Sequence, residues 1–301
     1  MRLLNTNKYP LWVQNALNND SYDPGVLSSK SGTTLIDSAK IKKLQKDNFK
    51  TLEEDASRRI AALFGSAIHL LAEQNCPEDW ITEERFYAKV IVDGKDQIIS
   101  GQIDALEPLG EKDVMIWDWK TIPSYKAMSG MDSYVKQGNI YAFLLRQNGY
   151  NPKGFKIGAW LKDWKASQAK RNPDYPQIPF MTYTYELWDD DKCNAYVQER
   201  CDMHFGDLVH DCTDEDMWTQ PTKWEAIKKG NKSPTKLFDT MEDGLDWLKN
   251  GVHPKLKNSQ FSDWVIKKRE AVRTRCEENY CGVNQFCDQY EVYLKSKEER
   301  A

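Results

Sequence analysis

Three consecutive segments in the middle of the chain are rich in β-branched and aromatic residues, and short turns separate them. They span residues 86–92, 97–104 and 114–120, and the first turn is Asp93-Gly94-Lys95. Such segments predict β-strands, and short turns join neighbouring strands into a meander. We therefore expect the core of the protein to be built on a β-sheet.

Stretches with helical spacing lie on both sides of this meander. Apolar residues recur every three to four positions from Glu53 to Gln74 and from Ser133 to Arg146, which predicts two helices. Two further strands are predicted at 155–164 and 181–187. Helices are then predicted at 189–209, around 237–248 and at 264–272. This order of elements predicts one α/β core with a helical extension.

Length and composition indicate a soluble protein with a sizeable core. A chain of 301 residues can form one large domain or two smaller ones. The N-terminus has no apolar run typical of a signal peptide, and no segment approaches the ~20 apolar residues of a spanning helix. We therefore expect a cytoplasmic protein without a membrane partner. The formal net charge of −4 argues against a surface that coats nucleic acid indiscriminately, but it is compatible with a local basic groove.

Two aspartates and a lysine in the meander have the chemistry that phosphodiester hydrolysis needs. Asp104 ends one predicted strand, and Asp118 and Lys120 lie two residues apart on the next. Residues i and i+2 of a strand face the same side, so Asp118 and Lys120 should point together, and a hairpin would bring Asp104 beside Asp118. Carboxylates bind Mg²⁺, and a lysine adds positive charge near a phosphate. Burying such a set without a ligand is unfavourable, so the three residues predict a metal-dependent site.

Four short motifs follow one another between residues 65 and 141. They are Gly65-Ser-Ala-Ile-His69 on a predicted helix, Gly101-Gln-Ile-Asp104 and Asp118-Trp-Lys120-Thr121 on predicted strands, and Gln137-Gly-Asn-Ile-Tyr141 on the next predicted helix. In this order and on these elements, they resemble the motifs of the PD-(D/E)XK nuclease superfamily, in particular its RecB-type branch, which includes phage exonucleases. One such motif alone occurs often by chance, whereas four in order are specific.

The resemblance implies a role for the residues of each motif. It implies that a divalent cation, Mg²⁺ or Mn²⁺, is bound by His69, Asp104, Asp118 and the backbone carbonyl of Trp119. Lys120 would be the catalytic lysine. The glutamine and tyrosine of the last motif, Gln137 and Tyr141, would position DNA or the site.

The resemblance also implies a fold. That fold is α/β, a restriction-endonuclease-like core with a central mixed sheet flanked by helices, here followed by a helical C-terminal extension. We accordingly divide the chain into an N-terminal lead-in segment (1–52), a nuclease core (53–190) and a mostly helical C-terminal extension packed on the core (191–301).

Most of these residues also have a simpler explanation. A lone histidine on an apolar helix, as His69 is, is usually a hydrogen-bonded core residue. Asp118 and Lys120 would form a surface ion pair on an edge strand, although the apolar residues around them indicate a buried strand. The tyrosine of the last motif would only pack the helix. Glu84, a candidate accessory acid, is better explained as a solvated charge.

The seven cysteines, an odd number, indicate reduced thiols or metal ligands rather than a disulfide framework. Some RecB-type nucleases bind an iron–sulfur cluster through three C-terminal cysteines and a fourth upstream of the core, which here would involve Cys276, Cys281 and Cys287. No cysteine precedes Cys76, however, and the first spacing is wider than C-x-x-C. We therefore expect these three cysteines to pack rather than to bind a cluster. A second set has the residue types of zinc ligands but matches no common zinc spacing: Cys201, His204, His210 and Cys212.

Lysines and tryptophans are interleaved between residues 218 and 236. Lys223, Lys228 and Lys232 would contact phosphates, and Trp218 would stack on a base. A solvated loop and helix face explains the same residues equally well.

The expected function is that of a metal-dependent DNA nuclease, with exonuclease action on DNA ends or single strands favoured. The chain has no G-x-x-x-x-G-K-[ST] motif and so carries no helicase motor. Such an enzyme would suit a phage or mobile element, would act in the host cytoplasm, and would work with a recombination or single-strand-binding protein. Two alternatives stay open. One is a structure-specific endonuclease on the same core, and the other is a non-catalytic nucleic-acid-binding module.

Overall fold

A computed structural model describes residues 1–18, 30–250 and 261–299, and the chain divides into two compact units, Met1–His210 and Asp211–Ala301. Residues 19–29 of the predicted lead-in segment lie outside the described residues, as do 251–260 and 300–301 of the predicted extension. The described helices of the first unit are α1 (Leu11–Asn18), α2 (Gly32–Ile36), α3 (Ala39–Asp47), α4 (Ile60–Gln74), α5 (Ser124–Met128), α6 (Val135–Gln147), α7 (Ala166–Ala169) and α8 (Asp190–Phe205). Its described strands are β1 (Arg2–Leu4), β2 (Lys30–Ser31), β3 (Glu53–Asp55), β4 (Ile81–Val92), β5 (Lys95–Pro108), β6 (Asp113–Ile122), β7 (Asn151–Leu161) and β8 (Phe180–Tyr185).

A six-stranded mixed sheet forms the centre of the first unit. Its order is β2-β5-β6-β7-β8, and β4 pairs along the other edge of β5. The β2–β5 and β6–β7 pairs are parallel, and the remaining pairs are antiparallel. Nine consecutive residues of α6, from Gln137 to Leu145, are buried, and α8 adds Cys193, Val197 and Cys201 to the core. Each large apolar side chain buried in this way contributes about 1.5–3 kcal/mol to folding. The predicted α/β fold with a mixed sheet flanked by helices is confirmed.

Strands β5 and β6 are paired over only part of their length. The ladder runs from Pro108↔Val114 to Ala105↔Trp117 and ends there. Beyond this point β6 continues beside β7, while the same edge of β5 pairs with β2 at Ile99. The two strands therefore part at Asp104 and Asp118, and this fork opens a cleft in the sheet.

The helix predicted from Glu53 begins only at Ile60. Residues Glu53–Asp55 pair in parallel with β1, and a 3-10 turn, Ala56–Arg58, follows. The Asp55 side chain accepts the backbone N–H of Ser57 at 3.0 Å, which caps this turn. A carboxylate at this position satisfies a backbone donor that would otherwise lack a partner, so the chain changes direction before α4 starts.

The second unit contains short strands as well as helices. Its described helices are α9 (Met241–Asn250), α10 (Thr274–Glu277) and α11 (Asp288–Glu298), and its described strands are β9 (Thr219–Gln220), β10 (Lys223–Lys228), β11 (Lys236–Phe238), β12 (Trp264–Arg269) and β13 (Val272–Arg273). The helix predicted at 264–272 is wrong. This segment pairs antiparallel with β10 over six residue pairs, and its Val265 and Ile266 suit the pleated backbone of a strand. No helix in the described ranges is both long enough and apolar enough to cross a bilayer.

Candidate active site

The cleft at the fork between β5 and β6 brings the acidic residues of two motifs together. Asp104 is the last residue of β5 before the ladder to β6 begins, and its carboxylate reaches across the fork. The backbone N–H of Trp119 donates to Asp104 Oδ2 at 2.6 Å. This hydrogen bond takes the place of strand pairing where the two strands part. Asp104 is only 7% exposed, and this hydrogen bond holds it against β6.

Asp118 and Lys120 face the same side of β6, as their spacing predicts. Lys120 Nζ donates to Asp118 Oδ1 at 2.7 Å and lies 2.6 Å from Oδ2 in an ion pair without hydrogen-bond geometry. Asp118 is completely buried, and the Lys120 side chain is 20% exposed. Within the described part of the chain, Asp118 Oδ2 is a buried oxygen with no hydrogen-bond partner. A surface ion pair on an edge strand is therefore not what these two residues form.

His69, on α4, faces this cleft with a defined tautomer. Its Nε2 is 2.9 Å from the carbonyl oxygen of Trp119, and because a carbonyl only accepts, Nε2 must carry the proton. In the neutral ring Nδ1 then has a lone pair, and this atom lies 3.7 Å from Glu83 Oε1 and 3.7 Å from Asp104 Oδ1. A histidine ligand whose other ring nitrogen donates to a backbone carbonyl is the usual arrangement at metal sites.

His69, Glu83 and Asp104 each present one ligand atom, and these three atoms all lie within 4.8 Å of one another. One imidazole nitrogen and several carboxylate oxygens make a donor set that suits a divalent cation such as Mg²⁺ or Mn²⁺. The residues in the cleft therefore fit a divalent metal ion, and Asp118 Oδ2, which is in an ion pair with Lys120 but accepts no hydrogen bond among the described residues, is a further donor beside them.

Glu83 is not marked by any sequence motif, and its neighbour Glu84, the acidic residue considered from the sequence, is exposed. Thr82 pairs with Ala105 and Glu84 with Ile103, so the register places Glu83 opposite Asp104. Glu83 has a φ of 50°, a left-handed conformation that is uncommon for a residue other than glycine and is often found at functional sites. No local pattern marks Glu83, because the predicted strand began only at residue 86.

A chain of hydrogen bonds holds the Glu83 carboxylate in place. Gln102 Nε2 donates to Glu83 Oε2 at 2.9 Å, and Arg85 Nη2 donates to Gln102 Oε1 at 2.9 Å. Gln102 is the second residue of the Gly101-Gln-Ile-Asp104 motif, so this motif supplies both an acid of the cleft and the support for another.

The ionisable groups of the cleft influence one another. Burial, and next the charge of Asp118, raise the pKa of Asp104 to about 7. Burial lowers the pKa of Lys120, but the charges of Asp118 and Asp104 outweigh it, and the pKa is raised overall. Burial likewise lowers the pKa of His69, and Glu83 and the charge of Asp104 raise it above its ordinary value. Carboxylates repel one another in a buried cleft, and a bound cation would stabilise their charged forms.

Gln137 and Tyr141, from α6, line the same cleft. Gln137 Nε2 donates to the Tyr141 hydroxyl at 2.7 Å, and both residues are buried. The tyrosine ring lies against Gly101, where an added Cβ would come within 3.0 Å of Tyr141 Cε1. The cleft has a volume of about 270 Å³. Its wall also includes Ser31, Gly32 and Thr33, which are not predicted from the sequence because they form no recognisable motif.

The residues predicted to contact nucleic acid lie in the second unit. Lys223 and Lys228 are on β10, Lys232 is exposed in the turn that follows, and Lys223 is in an ion pair with Asp239. The Trp218 ring is packed against Tyr280 at 5.5 Å between ring centroids. Their role in nucleic-acid binding stays a prediction.

The family model of the PD-(D/E)XK nuclease superfamily matches residues 33–288. No curated protein matches the chain. A solved structure described as "Crystal structure of SSO0001" is similar over 62% of this chain and 82% of its own, with 16% sequence identity and a TM-score of 0.45.

Proposed function

This chain belongs to the PD-(D/E)XK nuclease superfamily, and we propose that it is a metal-dependent deoxyribonuclease that hydrolyses phosphodiester bonds. The observation that carries the proposal is the convergence of His69, Glu83 and Asp104 beside the Asp118–Lys120 ion pair in one cleft. Exonuclease action on DNA ends or single strands is the favoured form, and it rests on the resemblance of the four motifs to the RecB-type branch. A phage or mobile-element origin, and a recombination or single-strand-binding partner, are predictions on the same basis.

The proposed metal ligands are His69, Glu83, Asp104, Asp118 and the carbonyl of Trp119. The Trp119 carbonyl already accepts a hydrogen bond from His69, but a carbonyl oxygen has two lone pairs, so one is left for a cation. A divalent cation bound here would supply an activated water molecule and neutralise charge on the scissile phosphate.

Lys120 is proposed to stabilise negative charge on the phosphate rather than to accept a proton. The carboxylates around it raise its pKa, so it is a cation at neutral pH and a poor base. Its ion pair with Asp118 orients the ammonium group toward the cleft. A fixed positive charge that needs no reorganisation during the reaction is an effective means of lowering the barrier.

Gln137 and Tyr141 are proposed to position the substrate strand. Their mutual hydrogen bond and the close packing of Tyr141 on Gly101 leave both side chains little freedom. A rigid polar pair at the wall of the cleft can hold a phosphate or sugar in register with the acidic residues.

The test is cleavage of end-labelled single-stranded, double-stranded and closed circular DNA by the full chain with Mg²⁺, Mn²⁺ or EDTA. Wild type is compared with Asp118→Asn and Lys120→Met, and Asp113→Asn and Lys156→Met are matched controls. Asp113 and Lys156 lie on β6 and β7 and form ion pairs with Lys153 and Glu107, outside the cleft lining. We expect metal-dependent cleavage that falls by at least about 100-fold in the two site variants and is unchanged in the controls.

The substrates separate the alternatives. Stepwise shortening of linear DNA with intact circles supports the exonuclease, and cleavage of circles indicates the endonuclease. If the folded wild-type protein binds DNA but cleaves none of the substrates with any metal, the nuclease proposal is overturned in favour of a binding module.

A further inference from the structure

A second lysine follows Lys120 closely along the chain and belongs to the short helix that comes after β6. This residue, Lys126, is half-buried on α5. Within the described part of the chain, Lys126 neither lines the cleft nor takes part in an ion pair, whereas Lys120 does both. The charge of Lys126 is therefore not neutralised by a carboxylate.

One aromatic ring contacts both lysines. Nζ of Lys120 lies over the ring of Tyr134 at 5.4 Å from its centroid, and Nζ of Lys126 lies 5.8 Å from the same centroid. An ammonium group within about 6 Å of the centre of a tyrosine ring is attracted by the negative charge on the ring face. The two ammonium groups are therefore at most about 11 Å apart.

The backbone that carries Tyr134 is fixed to the sheet. Tyr134 ends a 3-10 turn, Asp132–Tyr134, and its N–H donates to the carbonyl of Met131 at 2.9 Å. The Met131 side chain is completely buried, and its N–H donates to the hydroxyl of Tyr185, on β8, at 3.2 Å. Helix α6 begins at the next residue, Val135. The ring thus lies between a buried anchor and a buried helix, which limits its movement.

Helix α5, which carries Lys126, is also held at both ends. The N–H and the hydroxyl of Ser124 donate to Asp163 Oδ1 at 2.6 and 2.8 Å. At the other end Ala127 is buried, and its carbonyl accepts the hydroxyl of Tyr183 at 3.1 Å. Because the helix and the ring are both fixed, the backbone of Lys126 needs no rearrangement to bind an anion.

A tyrosine ring differs from a carboxylate as a partner for lysine. A carboxylate neutralises the ammonium charge, whereas a neutral ring attracts it and leaves the charge available to another anion. Burial raises the pKa of Tyr134 above its ordinary value, so its hydroxyl is uncharged at neutral pH. Asp118 is also a proposed metal ligand, so the ring is a contact to Lys120 for which a bound cation would not compete.

We propose that Lys120 and Lys126 bind two phosphates of the same DNA strand, and that Tyr134 is the positioning residue that fixes the two ammonium groups relative to each other. Lys120 contacts the scissile phosphate, and Lys126 contacts a phosphate outside the cleft. Phosphates of one strand repeat every ~3.4 Å along the helix axis, so the separation of the two ammonium groups corresponds to a few nucleotides at most. The inference rests on the proposed nuclease function and adds a second phosphate site to it.

The first experiment measures binding of a fluorescein-labelled oligothymidylate to the full chain by anisotropy, in EDTA and at several salt concentrations. Lys126→Met is compared with wild type and with Lys95→Met, which changes an exposed lysine at the turn between β4 and β5. We expect Lys126→Met to reduce the slope of log K against log[salt] by about 0.7, because one phosphate contact is lost, and the control to leave it unchanged. Because no divalent cation is present, the result does not depend on cleavage.

The second experiment measures kcat and KM with Mn²⁺ on a DNA substrate that the wild type cleaves. Lys126→Met should raise KM about 5-fold or more and leave kcat within about 2-fold, because a contact away from the scissile bond contributes to binding alone. Tyr134→Leu should raise KM and also lower kcat by about 10-fold, since it releases Lys120 as well. Tyr134→Phe keeps the ring and should retain both parameters.

A double variant separates positioning from a general effect on folding. In the Lys126→Met background, Tyr134→Leu should raise KM by a smaller factor than in the wild-type background, whereas a loss of folding would raise it equally in both.

An unchanged salt slope and KM for Lys126→Met, or a Tyr134→Phe variant as impaired as Tyr134→Leu, would overturn the inference while the nuclease function stands. A wild-type protein that cleaves no DNA but loses phosphate contact in Lys126→Met would support the second phosphate site and overturn only the proposed function.

Discussion

Asp104 uses its two carboxylate oxygens for different purposes. Oδ2 accepts the N–H of Trp119 and holds the fork between β5 and β6, while Oδ1 faces Nδ1 of His69. Replacement of Asp104 would therefore change the backbone as well as the donor set. The second carboxylate oxygen of Glu83 accepts a hydrogen bond from the Gln102 side chain, not from the backbone of β6. Glu83 is the residue at which metal binding can be tested without disturbing the strands.

We predict that Glu83→Gln weakens Mn²⁺ binding by about 10-fold or more, because a charged oxygen donor becomes a neutral amide. Isothermal titration of the full chain with Mn²⁺ measures the effect. Glu84→Gln is the matched control, since Glu84 is the exposed neighbour on the same strand. Equal Mn²⁺ affinities for the two variants would show that Glu83 is not a metal ligand.

His204 is a histidine outside the cleft whose ionisation opposes folding. Burial, and next the charge of Arg200, lower its pKa to about 4, and its Nε2 lies 3.1 Å from the carbonyl of Asp37. The unfolded chain takes up this proton near pH 6.5, and the native state does so only near pH 4. Between these values the unfolded state binds more protons, so the free energy of unfolding falls as the pH falls.

We predict that His204→Gln loses less stability than wild type between pH 7 and pH 5. An amide can still donate to the Asp37 carbonyl but does not take up a proton. Urea midpoints of both proteins at the two pH values measure the difference. If the urea midpoints of the two proteins decrease equally from pH 7 to pH 5, His204 does not contribute to the acid sensitivity of the fold.

At the scale of the element, α6 depends on glycine for its close approach to the sheet. A Cβ added at Gly138 would lie 2.5 Å from the ring of Phe155 on β7, and one at Gly101 would lie 2.7 Å from Leu144 of α6. Both glycines belong to motifs of the cleft. Helix α6, which carries Gln137 and Tyr141, can therefore pack this closely on the sheet because Gly101 and Gly138 have no side chain.

We predict that Gly138→Ala destabilises the protein, whereas Gly65→Ala stabilises it. Overpacking against Phe155 costs about 1–3 kcal/mol, which is set against a gain of about 1 kcal/mol in helix propensity. A Cβ at Gly65, in the interior of α4, meets no atom within 4 Å, so only the gain remains. Urea denaturation of the two variants measures both effects, and equal changes in the free energy of unfolding would contradict the packing argument.

At the scale of the whole molecule, the net charge of −4 means that phosphate contacts must come from local groups of lysines. Lys223 is in an ion pair with Asp239, which reduces the positive charge that Lys223 can present to a phosphate. Lys228 and Lys232, in contrast, are in no ion pair described for this part of the chain.

We predict that Lys228→Ala combined with Lys232→Ala weakens DNA binding and flattens its salt dependence. Each lost phosphate contact should reduce the slope of log K against log[salt] by about 0.7–0.9. Fluorescence anisotropy without divalent cation, at several salt concentrations, measures this slope. Lys43→Ala is the control, because Lys43 pairs with Asp47 on the exposed face of α3. An unchanged slope in the double variant would show that these two lysines are solvated charges that do not contact DNA phosphates.

Local periodicity was sufficient for the strands β4 to β8 and for α4, α6 and α8, because apolar spacing reflects which face of an element is buried. It failed at Trp264–Arg269, where pairing with β10 decides the structure of a short apolar segment. It also placed the start of α4 too early, because the pairing of β3 with β1 is not visible in local spacing.

The shared face of Asp118 and Lys120 is predictable from the sequence, since a strand alternates with a period of two, and the order of the motifs indicated the superfamily. The acid that joins His69 and Asp104 is set by the fold, because the β4–β5 register places Glu83, not Glu84, opposite Asp104. Packing likewise places Cys212 beside the start of α11, through its two hydrogen bonds with Gln289. Both outcomes depend on pairing between distant segments. Spacing along the chain describes one element at a time, and only the packed fold selects which elements meet.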